Sequence, residues 1–187
     1  IPHDYIIMER LPGTPMTNAG SYNEADVLQT IGGYLAQVHA ITADNHGYLG
    51  AHRPMEPQQD WPSAFRIMWG KLVDDILSVG HFSPEENLQL KTLLNQNLHH
   101  FDRTVSSCLL HMDVWHQNIL LDEKGAVCGL IDWDRAVWGD PEIEYAVLDY
   151  CGISKPAFWK GYGSQRDQSA SAQIRHLFYY LYELLKY

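Results

Sequence analysis

The chain has 187 residues, 45% hydrophobic and 19% charged, with a formal net charge of −10. That is one domain's worth of packed globular protein with no disordered tail. The acidic excess argues against a phosphate-backbone (nucleic-acid) binder, whose affinity comes from Lys and Arg, and suits a metal, a metal–nucleotide complex or a cationic small molecule. In chain order, "YIIMERLPG" opens with a strand-like run, Tyr5 to Met8, stopped by a Pro-Gly turn. Val27, Leu28, Ile31, Leu35, Val38 and Ile41 recur at steps of three and four and predict an amphipathic helix. The Gly-, Pro- and polar-rich stretch "ADNHGYLGAHRPMEPQQDWP" reads as a loop.

Asp60 offers an N-cap with Pro62 in the first turn, for a helix running toward Ser78. Ser83 to Glu86 has the Ser-x-x-Glu form of a capping box, and its helix should end near "HHF" at 99–101. Ile119 to Leu121 and Ala126 to Ile131 read as two short strands around a turn at Asp122–Gly125. Asp140 as N-cap, Pro141 at the first helical position and Glu142 and Glu144 in the first turn start another helix. A last, aromatic helix covers about Ser171 to Tyr187. Helices outnumber strands, so the expected fold class is α+β and predominantly helical. Cys108, Cys128 and Cys151 are widely spaced with no CxxC pair. They read as buried thiols of a reducing, cytoplasmic compartment. No apolar run approaches the roughly 20 residues of a membrane span, and no signal peptide is visible.

The chemistry concentrates in "CLLHMDVWHQNILLDEKGAVCGLIDWD", residues 108–134. Asp113 ends an apolar approach, so its carboxylate emerges from a rigid wall. Asn118 lies five residues on, enough chain to bring its amide oxygen back to the same point, and Asp132 ends the return strand of the hairpin. Mg²⁺ prefers hard oxygen ligands and takes only one or two from protein, a role open to Asn118 and Asp132. Asp113 is then free to orient an attacking hydroxyl and accept its proton, the recurring division of labour in phosphoryl transfer.

His111-x-Asp113-x4-Asn118 followed by Ile131-Asp132-Trp133-Asp134 resembles the catalytic and metal-binding segments of the aminoglycoside phosphotransferase and choline kinase group, small-molecule kinases with a protein-kinase-like fold. "LAQVHAI" resembles the first large helix of that group and "FWKGYG" a late helix and its exit. "GDPEIEYA" resembles its Gly-Asp-Pro-x-x-Asp-Leu-Ala stretch, with departures at Glu144 and Tyr145.

The resemblance implies an inter-lobe linker at 1–13 and a helical C-terminal lobe at 14–187, with a catalytic loop at 111–118 and a metal segment at 131–134. It implies Met8 as gatekeeper, with the Glu9 carbonyl and Leu11 N–H pairing with adenine of ATP. His111 would brace the loop by hydrogen bonding without transferring a proton, and Asp140 would cap a helix and brace the site. Asp134 is open between metal, substrate and solvent. Only seven residues separate Asp132 from Asp140, too few for a protein kinase's activation segment, so the acceptor should be a small molecule. Asp134, Glu142, Glu144 and Asp149 hint that it is cationic.

The resemblance begins at the linker. A strand lobe bringing a phosphate-covering loop, a strand lysine and a helix glutamate is expected in the group, and Lys71, Lys91 and Lys124 stand in the wrong contexts to replace that lysine. The chain is therefore expected to be inactive alone, and the face carrying Ile6 and Met8 to self-associate. Two other readings stay open: a non-catalytic kinase-like binding module, and a metal-dependent phosphohydrolase, which would need more metal ligands than one Asn–Asp pair.

Overall fold

A computed structural model describes residues 9–49 and 54–187. The expected strand at Tyr5–Met8, the gatekeeper Met8 and the apolar face at Ile6 lie outside the described residues. Six helices are described: α1 Glu24–His39, α2 Trp61–Ser78, α3 Pro84–Asn97, α4 Pro141–Tyr150, α5 Pro156–Tyr162 and α6 Ala170–Leu184. Seven short strands accompany them: β1 Thr14–Pro15, β2 Thr42–Ala43, β3 Gly47–Tyr48, β4 Ser107–Leu110, β5 Ile119–Leu121, β6 Val127–Leu130 and β7 Val137–Gly139. The fold is α+β and mainly helical. No described helix is long and apolar enough to cross a membrane.

The helix starts follow from their caps. Asp60 accepts from Ser63 N–H at the head of α2, and Ser83 and Glu86 close a reciprocal capping box at the head of α3. Asp140 accepts from Glu142 N–H with Pro141 in the first turn of α4. β5 and β6 form the expected antiparallel hairpin, and β1 adds to its outer edge in the order β1-β5-β6. The Asp122 carboxylate holds the turn by accepting from Lys124 N–H and Ala126 N–H.

A second sheet, in the order β2-β4-β7-β3, departs from the sequence reading. β3 and the second residue of β2 fall inside the stretch expected to be loop, and β4 and β7 pair across nearly thirty positions of chain. Strands this short carry no periodicity, because their pairing energy comes from distant partners.

Two cores lie beneath these elements. One gathers Trp61, Phe65, Trp69, Phe101 and Tyr179 between α2, α4 and α6; the other gathers Ile31, Leu35, Val114, Ile119 and Phe158. In the second core α1 and α5 meet backbone to backbone. A Cβ on Gly32 would collide with the Phe158 carbonyl, and one on Gly161 with the Gln29 carbonyl. The cysteine expectation needs one correction, since Cys108 is buried and Cys151 half-buried but Cys128 is exposed.

Candidate active site

β4 ends at Leu110 and delivers the chain to His111 between the two cores. Met112 packs into the first core and Val114 into the second, 2% and 0% exposed. Burying two such side chains is worth about 1.5–3 kcal/mol each. It fixes the residue between them, so Asp113 stands at the seam. Met112 holds a left-handed φ of 65°, a conformation costing about 1–2 kcal/mol for a residue with a Cβ.

The Asp113 carboxylate is oriented from two sides. Asn118 Nδ2 donates to Asp113 Oδ2 and to the Asp113 carbonyl, both at 2.9 Å. Two acceptors on the same amide end assign the NH₂ there and turn the amide oxygen away. Arg135 Nη1 lies 3.3 Å from Asp113 Oδ1 and also donates to the Tyr187 hydroxyl at 3.1 Å. Arg135 was not singled out from the sequence; its position beside "IDWD" was the available signal.

His111 is fully buried and both ring nitrogens are engaged. Nε2 donates to the Ile131 carbonyl at 2.9 Å, and Nδ1 accepts from Asp113 N–H at 3.2 Å. Burial holds its pKa below the ordinary imidazole range. Those bonds leave neither nitrogen free to move a proton, and they tie the catalytic loop to the segment carrying Asp132.

Asp132 is exposed and, at φ 68°, is the second left-handed non-glycine residue among those described. Its pKa is raised, first by partial desolvation and then by the nearby carboxylates of Asp134 and Asp113. Hard acceptor oxygens crowded in this way fit a divalent cation, which would relieve the repulsion. The free amide oxygen of Asn118 and the Asp132 carboxylate are of the right type, with Asp134 next to them. No group of three or more His, Cys, Asp or Glu is clustered for a metal among the described residues. Such a site would be completed by phosphate and water, as Mg²⁺ tolerates.

The underside of the loop rests on a residue that the sequence reading left as a mere departure. Glu144, in α4, is 0% exposed. Its Oε1 accepts from Met112 N–H at 2.6 Å, and its Oε2 accepts from His111 N–H at 3.2 Å and from His39 Nε2 at 2.7 Å. Burial alone would push its pKa up, but these hydrogen bonds outweigh it and the pKa is lowered. Asp140 is also buried, taking Arg103 Nη2 at 2.6 Å and the Tyr179 hydroxyl at 3.0 Å besides its cap bond.

A cavity of about 440 Å³ opens beside the loop, lined by Met112, Asp134 and Arg135, by Asp75 of α2 and by Lys186 just after α6. The rest of its lining is mostly apolar. Three of the four acids that hinted at a cationic acceptor lie elsewhere. Glu142 pairs with Arg175 and Arg103, Glu144 is beneath the loop, and Asp149 is clamped by Arg166. Only Asp134 faces the cavity. At the linker, Glu9 and Leu11 are exposed, and the Leu11 side chain lies against Gly129 of β6.

Residues 1–175 match the model of the Phosphotransferase enzyme family. The chain belongs to that family. Among curated relatives, this phosphotransferase-family chain is similar to the "Probable ketoamine kinase" of Vibrio vulnificus, 27% identical over 197 aligned residues covering 98% of this chain and 62% of that protein. Its counterpart in Vibrio parahaemolyticus is 26% identical over 194 residues, with the same coverage. The chain thus spans about three-fifths of the length of the curated relatives it matches.

Among solved structures it is similar in fold to one described as a fructosamine-3-kinase from Haemophilus somnus (TM-score 0.70, 22% identity, 95% of this chain and 59% of that one). It also matches a thermostable mutant of aminoglycoside phosphotransferase APH(4)-Ia in complex with AMP-PNP and hygromycin B (TM-score 0.63, 18% identity, 95% and 61%).

Proposed function

We propose that this chain is the catalytic and acceptor-binding lobe of a small-molecule kinase that moves the γ-phosphoryl group of ATP to an alcohol. The observation that carries the reading is the geometry around Asp113. A carboxylate held at one oxygen by an amide and at the other by a guanidinium stands beside a cavity and beside a crowded pair of acids. Asp113 would orient the acceptor hydroxyl and take its proton as the oxygen attacks phosphorus. Arg135 would keep that carboxylate aimed. Asn118 and Asp132, with Asp134 adjacent, would hold Mg²⁺, whose contribution when bound is to neutralise phosphate charge. His111 and Asp140 would support the site, and Glu9 and Leu11 would meet the adenine edge. A linker at 1–13 and a lobe at 14–187 are the division this reading assumes.

The acceptor would occupy the cavity. Its mostly apolar lining, with Asp75 and Asp134 balanced by Arg135 and Lys186, suits a small polar alcohol better than a peptide, and the relatives' names, ketoamine kinase and aminoglycoside phosphotransferase, support a small acceptor. The test is phosphoryl transfer by the full-length parent protein with Mg–ATP and a panel of ketoamines, amino alcohols, sugars and aminoglycosides. Turnover of a panel member is expected, with none from residues 1–187 alone, because the groups that grip a triphosphate come largely from a second lobe. Tight nucleotide binding without transfer to any acceptor would favour the binding-module reading, and phosphate release from phosphoesters without nucleotide would favour a phosphohydrolase.

A further inference from the structure

A hydrogen-bond chain runs from Tyr145 of α4 through Tyr162 of α5 and His39 of α1 to Glu144, and ends on the loop at 111–113. The Tyr145 hydroxyl donates to the Tyr162 oxygen at 3.0 Å, and that oxygen lies 2.7 Å from His39 Nδ1. His39 Nε2 lies 2.7 Å from Glu144, which accepts the N–H groups of His111 and Met112. An ionised carboxylate can only accept, so Nε2 carries the ring proton facing Glu144. Tyr162 receives the Tyr145 proton, and its oxygen meets Nδ1 as donor to a neutral ring or as acceptor from a charged one. Burial raises the pKa of both hydroxyls, so they stay protonated.

The spacing in this chain is set by close backbone approach as well as by ring packing. His39 ends α1 and Tyr162 ends α5, and the two helices touch at Gly32 and Gly161 with no room for a Cβ. At the other end lies Met112, whose left-handed backbone needs an external hold to persist. We propose that Tyr162, backed by Tyr145, is a positioning residue for phosphoryl transfer, acting through His39 and Glu144 to hold the Met112 backbone and so the direction of Asp113. This rests on the reading of Asp113 as the group that orients the acceptor.

Tyr162→Phe removes one hydroxyl and keeps the ring, which stacks on Phe158 and meets Tyr145 edge-on. In the full-length protein kcat should fall roughly five- to tenfold, the cost of one hydrogen bond in a positioning network. KM for nucleotide and acceptor should hold within about twofold, since ground-state binding does not use the chain. Tyr145→Phe should lower kcat less, and Tyr34→Phe, an exposed tyrosine on α1, should leave it unchanged. ¹⁵N-histidine NMR reads the same claim without turnover: His39 should show a protonated Nε2, with the Nδ1 and Nε2 resonances both shifted in Tyr162→Phe. Wild-type kcat in Tyr162→Phe, or a His39 spectrum insensitive to it, overturns the proposal. Loss of kcat in Asp113→Ala alongside an unaffected Tyr162→Phe sinks the relay and spares the kinase. An unaffected Asp113→Ala sinks the kinase reading, and the His39 spectrum then decides the hydrogen-bond chain by itself.

Discussion

The two sides of the catalytic loop carry carboxylates whose acidities run opposite to their exposure. Beneath the loop, Glu144 is fully buried, yet its pKa is lowered because three N–H donors meet it. Above it, Asp132 is exposed, yet its pKa is raised by partial desolvation and by the neighbouring acids. What separates the sides is satisfaction and not depth. The lower side is a finished hydrogen-bonded structure; the upper side gathers the carboxylates of Asp113, Asp132 and Asp134 with the Asn118 amide oxygen turned away from Asp113. Substitutions on the upper side should therefore cost function with little stability, and those on the lower side should cost both.

The largest effect is expected at Asp113. Asp113→Ala in the full-length protein should lower kcat roughly 10³-fold, the scale of a lost general base with its orienting role. Its unfolding midpoint should move little, and a matching loss of stability would erase the distinction between the two sides. Next comes Glu144→Ala, which strands His39 and two buried N–H groups. We expect about 3 kcal/mol of lost stability by denaturant titration, together with lost activity. A stable, active Glu144→Ala variant would show that the loop holds itself.

Acid should sharpen the same contrast. Because the folded pKa of Glu144 is lowered, its contribution is fully present above its unfolded value of about 4.3 and is lost as pH falls through the lower folded value. Denaturation midpoints of the wild type and of Glu144→Gln should differ at neutral pH, and the gap should begin to shrink as pH falls below about 4.3. A constant gap down to pH 3 would remove Glu144 from the account. The smallest effect belongs to the half-exposed pair Lys155–Glu24, 2.7 Å apart between α5 and α1. Lys155→Ala should cost under ~1 kcal/mol and leave kcat unchanged.

The features legible in the sequence were those written locally. Asp60, Ser83–Glu86 and Asp140–Pro141 place their helix starts because a cap acts within one turn. The β5–β6 hairpin could be read because its turn and both strands are contiguous. Asp113, Asn118 and Asp132 could be singled out because they lie within one short segment of chain. Glu144, His39 and Arg135 reach partners far along the chain, and only Arg135, directly after "IDWD", had a local signal. Glu142, Glu144 and Asp149 looked like a cationic-acceptor signal because surface and buried acids look alike in a string. The β2-β4-β7-β3 sheet was hidden for a similar reason, since each of its strands has four residues or fewer and gains its meaning from distant neighbours.

The central claim is a division of roles on the upper side, with Asp113 serving the acceptor and Asp132 serving the metal–nucleotide complex. Titration calorimetry of Mg²⁺ and a non-hydrolysable ATP analogue into full-length Asp113→Ala and Asp132→Ala tests it directly. The account predicts near wild-type nucleotide affinity for Asp113→Ala and clearly weaker affinity for Asp132→Ala. Equal affinities in the two variants would contradict it.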